Sequence, residues 1–225
     1  MRARRYRIKG FFITLEGPEG SGKSTQAVRL TAALKRAGYS VVHTREPGGT
    51  PLAEAIRRVL LSASSHESVT AETEALLILA ARSQHVAHII MPALQRGHIV
   101  ICDRFSDSTF AYQGYGRDVK MQWLRQANDV ASSGLSPDFT LLFDLPASLG
   151  LARRRKARGI QNRLDRECER FHRKVRRGFL ALARQSPRRI TVIDATQQPD
   201  NISITTQALV FKQLSRYRLI RNRKS

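Results

Sequence analysis

Gly17-Pro18-Glu19-Gly20-Ser21-Gly22-Lys23-Ser24 is a complete GxxxxGK[ST] loop, and its flanks fit as well as its letters. Phe11-Phe12-Ile13-Thr14-Leu15 ahead of it reads as a short buried strand. Behind it, Ala27, Leu30, Ala33, Leu34 and Ala37 recur at helical spacing up to Gly38, which predicts a helix over Ser24–Ala37. A strand, a glycine turn and a helix N-terminus gather several backbone N–H groups around one anion, with the helix dipole behind them. Glycines are needed because a Cβ would hold the backbone away from a phosphate. Lys23 can then reach the terminal phosphates, and the Ser24 hydroxyl can ligate Mg²⁺. The pattern implies a nucleoside triphosphate site.

The same alternation continues along the chain. Strands are expected at Phe11–Leu15, Ser40–Thr44, His98–Cys102, Thr140–Phe143 and Arg189–Ile193. Helices are expected at Ser24–Ala37, Pro51–Leu61, Ala71–Gln95, Val119–Ser132, Ser148–Arg158, Glu167–Gln185 and Asp200–Ser215, with Pro92 ending or kinking the third. Such a pattern makes an α/β fold, a five-stranded parallel sheet with helices on both faces. No repeat or linker divides it, so residues 1–225 are expected to form one domain, with a core over about 11–215. Ligands on such sheets bind beyond the carboxyl ends of the strands. The residues that follow the strands are the informative ones.

Composition narrows the class. The chain is 225 residues long and 41% hydrophobic, ordinary for a globular protein. No apolar run approaches membrane-spanning length and no signal-peptide core precedes the first strand, so a cytoplasmic protein is expected. Cys102 and Cys168 form no CxxC and read as free thiols. His85 and His88 have no acidic or cysteine partner nearby in sequence that would make them metal ligands. The formal net charge of +21 fits a nucleic acid or a polyanionic substrate. It is concentrated in an arm (Arg2 to Lys9), a tail (Arg216 to Lys224) and a block from Arg153 to Arg177.

Asp103 ends an apolar run, where an acid can order Mg²⁺ through water or cap a helix. Arg104 beside it offers a bidentate fork to a second phosphate. Arg45 follows the second strand. Arg82 lies on an otherwise apolar helix face, either buried with a partner or snorkelling to the surface. The cationic stretch Arg153–Arg163, broken at Gly159, fits a lid of about 153–165 that closes over phosphates, though part of it can be a solvated helical face.

Taken in order, the phosphate loop, Thr44-Arg45-Glu46-Pro47-Gly48-Gly49-Thr50, Ala81-Arg82-Ser83-Gln84-His85, Asp103-Arg104-Phe105, Ser108-Thr109, Ala111-Tyr112-Gln113-Gly114 and Ile193-Asp194-Ala195 resemble bacterial thymidylate kinases. The resemblance implies a P-loop nucleoside monophosphate kinase fold. It implies transfer of the γ-phosphoryl of ATP to dTMP with Mg²⁺, in a homodimer. By the same resemblance ATP is bound by Gly17, Pro18, Glu19, Gly20, Ser21, Gly22, Lys23, Ser24 and Thr25, with Asp194 and Arg158, and the metal lies at Ser24 and Asp103. Lys23, Arg104, Arg158 and Glu19 take the catalytic positions, Glu19 facing the sugar 3′-hydroxyl. Arg45 and Arg104 bind the acceptor phosphate, with Ser108 beside them. Arg82 bonds the thymine ring, Thr109 and Gln113 lie near its other edge, and Tyr112 sits under the deoxyribose. With no arginine at Gly20 or Ser21, the catalytic arginine of this branch comes from the lid, at Arg158.

Two positions depart from that family. Ile78 replaces the usual Phe whose ring stacks on the base, and Asn162-Arg163-Leu164-Asp165 replaces Asp-Arg-hydrophobe-Glu. Loss of the ring favours a broader deoxynucleoside monophosphate specificity as an alternative. The net charge favours a nucleic-acid-binding P-loop ATPase, in which the basic ends would touch nucleic acid, but such an enzyme has no use for the acceptor blocks.

Overall fold

The computed structural model of the chain describes residues 8–62, 68–156 and 162–217. Its elements run in the expected order. β1 (Phe11–Glu16) leads through the phosphate loop into α1 (Lys23–Arg36), followed by β2 (Val41–Arg45), α2 (Pro51–Leu61) and α3 (Ala71–His85). A π-helical turn at Val86–Ile90 joins α3 to α4 (Met91–Gln95), then come β3 (Ile99–Asp103), α5 (Ser106–Thr109) and a second π-helical run, Phe110–Gly116. The chain closes with α6 (Met121–Ser132), β4 (Phe139–Asp144), α7 (Ala147–Lys156), a 3₁₀ turn at Leu164–Arg166, α8 (Glu169–Gln185), β5 (Ile190–Asp194) and α9 (Pro199–Arg216).

The five strands are all parallel, in the order β2-β3-β1-β4-β5. β1 is central and buried along its whole length, which its run of apolar residues requires. One apolar cluster lies between the sheet and α1 and α9, around Leu30, Leu34, Phe143 and Val210. A second packs Phe110 and Tyr112 against Phe171, Val175 and Phe179 of α8. A third sits under α4, around Phe12, Ile90, Leu94 and Phe105. Because β1 pairs with β3 on one side and β4 on the other, the ends of three strands converge where the chain changes direction across the sheet. Leu15 is in register with Asp103, and Glu16 with Leu142.

Three details differ from the sequence reading. The helix over Ala71–Gln95 does not end at Pro92. The π-helical turn just ahead shifts the carbonyl register, so the proline enters at the start of α4. A helical run over Ser106–Gly116 was not expected at all, because its polar residues face a cavity and the core together and leave no clean period. Each strand also reaches one residue further towards its carboxyl end than read, which brings Glu16, Arg45, Asp103, Asp144 and Asp194 into the sheet. A polar last residue carries no apolar signal, although its backbone still pairs.

The phosphate loop is clamped against α7, backbone to backbone. A Cβ at Gly150 would lie 2.3 Å from the Glu19 carbonyl oxygen, and one at Gly20 would lie 2.1 Å from that of Gly150. Gly150→Ala must therefore push loop and helix apart. We expect a loss of about 1–3 kcal/mol in stability, as in other overpacked sites, together with weaker triphosphate binding. Thermal melting and ATP titration of the variant check both; unchanged values would mean that the clamp is loose.

Candidate active site

At the carboxyl end of the sheet lies a cavity of about 520 Å³. It runs from the phosphate loop, at Lys23 and Ser24, to Ile78, Thr109 and Gln113. Among the described residues, six arginines (45, 57, 82, 104, 153 and 154) and Lys23 line it against three carboxylates, Glu19, Glu46 and Asp103. That surplus of positive charge suits a ligand with several phosphates.

The loop is built as its glycines imply. Gly22 caps α1 at φ 84°, a left-handed conformation that leaves the first turn of α1 with no side-chain cap and its N–H groups free for an anion. Lys23 folds back over the loop, donating to the Pro18 carbonyl at 2.8 Å and the Ser21 hydroxyl at 3.2 Å. Burial, with Arg104 nearby, lowers the Lys23 ammonium to about 8 against the pull of Glu19 and Asp103. The Ser24 hydroxyl donates directly to Asp103 across the loop.

Arg104 sits at φ 70°, a strained backbone for an arginine. Contacts on both sides hold it there. Its N–H donates to the Leu15 carbonyl at 3.0 Å and the next amide, Phe105, donates to Glu16 Oε1 at 2.8 Å. The guanidinium donates to the Gly17 carbonyl and the Ser108 hydroxyl at 3.1 Å each and to Glu19 at 2.8 Å, and it lies 5.1 Å from the centre of the Tyr112 ring. Tyr112 donates to the same Glu19 oxygen at 2.9 Å. Burial alone would raise the Glu19 carboxyl, but Arg104 and Lys23, with the tyrosine hydroxyl, outweigh it and hold it at about 2. Glu19 is thus a fixed anion.

Arg82 is buried, not snorkelling. It lies between Glu46, at 2.7 Å, and the Asn128 side-chain oxygen, also at 2.7 Å, and over the Phe105 ring at 4.9 Å. The other Glu46 oxygen meets His85 Nδ1 at 3.1 Å, and His85 Nε2 meets the Thr44 hydroxyl. His85 therefore belongs to the Arg82 support. Arg45 stands at the cavity mouth, where both carboxylate oxygens of Glu54 take it at 3.0 Å. Thr109 Oγ1 and Gln113 Oε1 are buried with no hydrogen-bond partner among the described residues. Both oxygens lie behind the wall, closed off from the open cavity.

A family model described as Thymidylate kinase matches residues 15–204. A thymidylate kinase of Thermomicrobium roseum is 50% identical over 208 residues, covering 92% of this chain and 98% of that protein. One of Pseudomonas putida is 49% identical over 203 residues, covering 90% and 96%. The crystal structure of thymidylate kinase from Ehrlichia chaffeensis superposes with a TM-score of 0.73 at 33% identity, over 89% of this chain and 98% of that one. The chain belongs to the thymidylate kinase family. It is accordingly a P-loop phosphotransferase with the nucleoside monophosphate kinase fold, as its order of motifs implied.

Within that family the expected site residues fall in three groups. The loop residues Glu19, Gly20, Gly22, Lys23, Ser24 and Thr25, with Arg45, Ile78, Arg82, Asp103, Arg104, Ser108, Thr109, Tyr112 and Gln113, all line the one cavity. Asp194 does not. It holds the turn after β5, accepting from the Thr196 amide at 2.9 Å and hydroxyl at 2.6 Å. Arg158 lies outside the described residues, as do Arg2 to Arg7 and the end of the tail beyond Tyr217. Of the expected lid cations, Arg153 spends its guanidinium on the Ala195 and Thr196 carbonyls, and Arg154 pairs with buried Asp165 at 2.9 Å. The unusual Asn162 and Asp165 support each other. Asp165 Oδ2 accepts from the Asn162 amide, and Asn162 Oδ1 caps the Leu164 and Asp165 amides.

Sequence reasoning passed over Glu16, Glu46, Glu74, Arg57 and Asn128. Glu16 did leave a signal, a lone acid directly after five residues of buried strand. It accepts from the Phe105 amide and from the Ser108 hydroxyl at 2.6 Å, and burial, with Asp107 beside it, pushes its carboxyl up to about 8. Between about pH 5 and 8 the folded chain therefore keeps a proton that the unfolded chain releases, and stability falls as pH rises through that window. Glu16→Gln, which cannot ionise, should gain melting temperature relative to the native chain as pH goes from 5 to 8. A constant difference across the window would mean that Glu16 is ionised throughout.

Proposed function

We propose that this chain phosphorylates dTMP at the expense of ATP, giving dTDP and ADP, with the division of labour that follows. One observation carries the reading: the phosphate-loop residues Lys23 and Ser24, the cations Arg45, Arg82 and Arg104, and the residues Thr109, Tyr112 and Gln113 line a single cavity. The triphosphate lies in the loop, against Lys23 and the first turn of α1. The acceptor phosphate meets Arg104 and Arg45, and the base lies at the Ile78 end, beside Arg82, Thr109 and Gln113. Glu19, held as an anion between Arg104 and Tyr112, faces the sugar hydroxyl. Tyr112, on the wall between them, supports the sugar.

Ser24 and Asp103 are hard oxygen donors already in contact, which suits Mg²⁺. Among the described residues no cluster of three or more His, Cys, Asp or Glu forms a cage of its own, so phosphate and water oxygens complete such a site. Bound Mg²⁺ neutralises charge between the transferring phosphates. The chain's own part is positioning. Lys23 and Arg104 bring the two phosphate groups within reach and exclude water between them, and Arg158 supplies the lid charge in the transition state.

With dTMP as acceptor we expect turnover that chelation of Mg²⁺ abolishes and that Lys23→Ala lowers by about 10²–10³, the usual cost of one charge-stabilising group. Arg158→Ala should lower turnover more than it weakens dTMP binding, and Arg104→Ala should mainly raise the dTMP requirement. A coupled ADP assay over dTMP, dUMP, dGMP, dCMP and AMP decides. Activity confined to another acceptor, or a Lys23→Ala enzyme that turns over normally, would overturn the assignment.

We also place the enzyme in the cytoplasm, as a homodimer. Among the described residues no helix is long and apolar enough to cross a membrane; recovery outside the cytoplasm on cell fractionation would remove that placement. Val59 of α2, Leu76 of α3 and Val130 of α6 are large exposed apolar side chains on helices that pack side by side. They support a face covered by a second copy. Sedimentation should give a dimer that Val130→Glu dissociates; a monomeric native chain would remove this part of the proposal.

A further inference from the structure

Asn162 and Leu164 line the cavity, whereas Arg163 between them does not. Its guanidinium is engaged elsewhere. It donates to Glu74 Oε2 at 2.6 Å and to the Leu60 carbonyl at 3.2 Å, while the Arg163 amide donates to the Leu61 carbonyl at 3.4 Å. Leu60 and Leu61 end α2 and line the cavity themselves. The last carbonyls of a helix have no partner within it and favour a cation, so an arginine suits this place. Among the described residues, every hydrogen bond from Asn162–Asp165 to α2 or α3 comes from Arg163. α2 packs on α3, which carries Ile78 and Arg82, so the wall held here belongs to the acceptor end of the cavity.

Glu74 gives that tie its strength. It is fully buried on α3, with Arg163 and Arg117 on one oxygen, at 2.6 and 3.2 Å, and the Gln113 amide on the other at 2.6 Å. A buried carboxylate is costly unless neutralised, so it draws a guanidinium in and holds it. Arg117 also pairs with Glu167 at 2.6 Å, and neither it nor the residues on either side of it line the cavity. The two arginines thus share one carboxylate, and only Arg163 carries wall residues with it.

We propose that Glu74 is a positioning residue for the acceptor. Through Arg163 it holds Asn162 and Leu164 against the end of α2, and so keeps one wall of the cavity closed beside the bound monophosphate. The proposal rests on the reading of this cavity as a dTMP kinase site. A looser wall would leave the triphosphate in its loop and hold the acceptor less firmly in line with it.

Arg163→Gln and Glu74→Gln test this, with Arg117→Gln as the control for a merely structural loss. Steady-state kinetics should show the KM for dTMP raised about tenfold in the first two, the worth of one charge-assisted hydrogen bond, with the KM for ATP unchanged. The double variant should be no worse than either single one, because both act through one ion pair. Arg117→Gln should lower the melting temperature and leave both KM values in place. A dTMP KM that stays native in Arg163→Gln, or that rises as much in Arg117→Gln, overturns the proposal. If Glu74→Gln does not fold, Arg163→Gln alone decides, because Glu74 then keeps Arg117. A native chain that does not use dTMP overturns the proposed function instead, and the wall is then read without substrate. Amide hydrogen exchange at residues 163–165 should be faster in Arg163→Gln than in Arg117→Gln, and equal exchange overturns the tie.

Discussion

A single buried carboxylate, Glu16 at the end of the central strand, holds together the parts of this site that must not move. It accepts from the Phe105 amide and the Ser108 hydroxyl, and so fixes the turn that carries Arg104 at a positive φ. From that turn Arg104 reaches back to the Gly17 carbonyl of the phosphate loop and to Glu19. The phosphate loop and the Arg104 turn are thereby tied to one strand end. A lone ionised carboxylate in such a place would be costly, and the rise of its pKa is the physical response.

The same logic recurs around the cavity. Each inward-facing arginine has a carboxylate or carbonyl that sets its direction: Glu46 for Arg82, Glu19 for Arg104, Glu54 for Arg45, and backbone oxygens for Arg57 and Arg153. Paired in this way, the cations keep a fixed geometry for a polyanion without repelling one another apart. Glu74 extends the pattern to the base end, joining Gln113 to Arg117 and to Arg163 of the segment after α7. Polar networks of this kind contribute less to stability than to uniqueness of arrangement, since each charged side chain in them has a definite partner.

Packing supports the site from below. Phe105 lies edge-on to Phe12 with ring centres 5.0 Å apart and carries Arg82 on its face. Tyr112 makes edge contacts with Phe171 and Phe179 of α8 at 6.1 Å each. The apolar clusters therefore end in side chains whose other face borders the cavity. A change in the core beneath Phe105 or Tyr112 would be felt at the ligand.

The sequence by itself determined the fold class, the order of the strands and most of the polar residues of the cavity wall. Glycine spacing, apolar periodicity and the placing of polar residues after strands are local signals, and local signals survive in a linear string. Arg82, Asp103 and Arg104 were legible in this way, whereas Ile78 stood out only through the resemblance to the family. Tertiary structure alone decided the partners: that Arg82 is buried on Glu46, that Glu16 holds the Arg104 turn, that Glu74 orients Gln113, and that Asp194 stands off the cavity wall. These pairs are separated by 36, 89 and 39 residues. No local pattern announces them, because the free energy that selects them is the desolvation of charges brought together only when the sheet has formed.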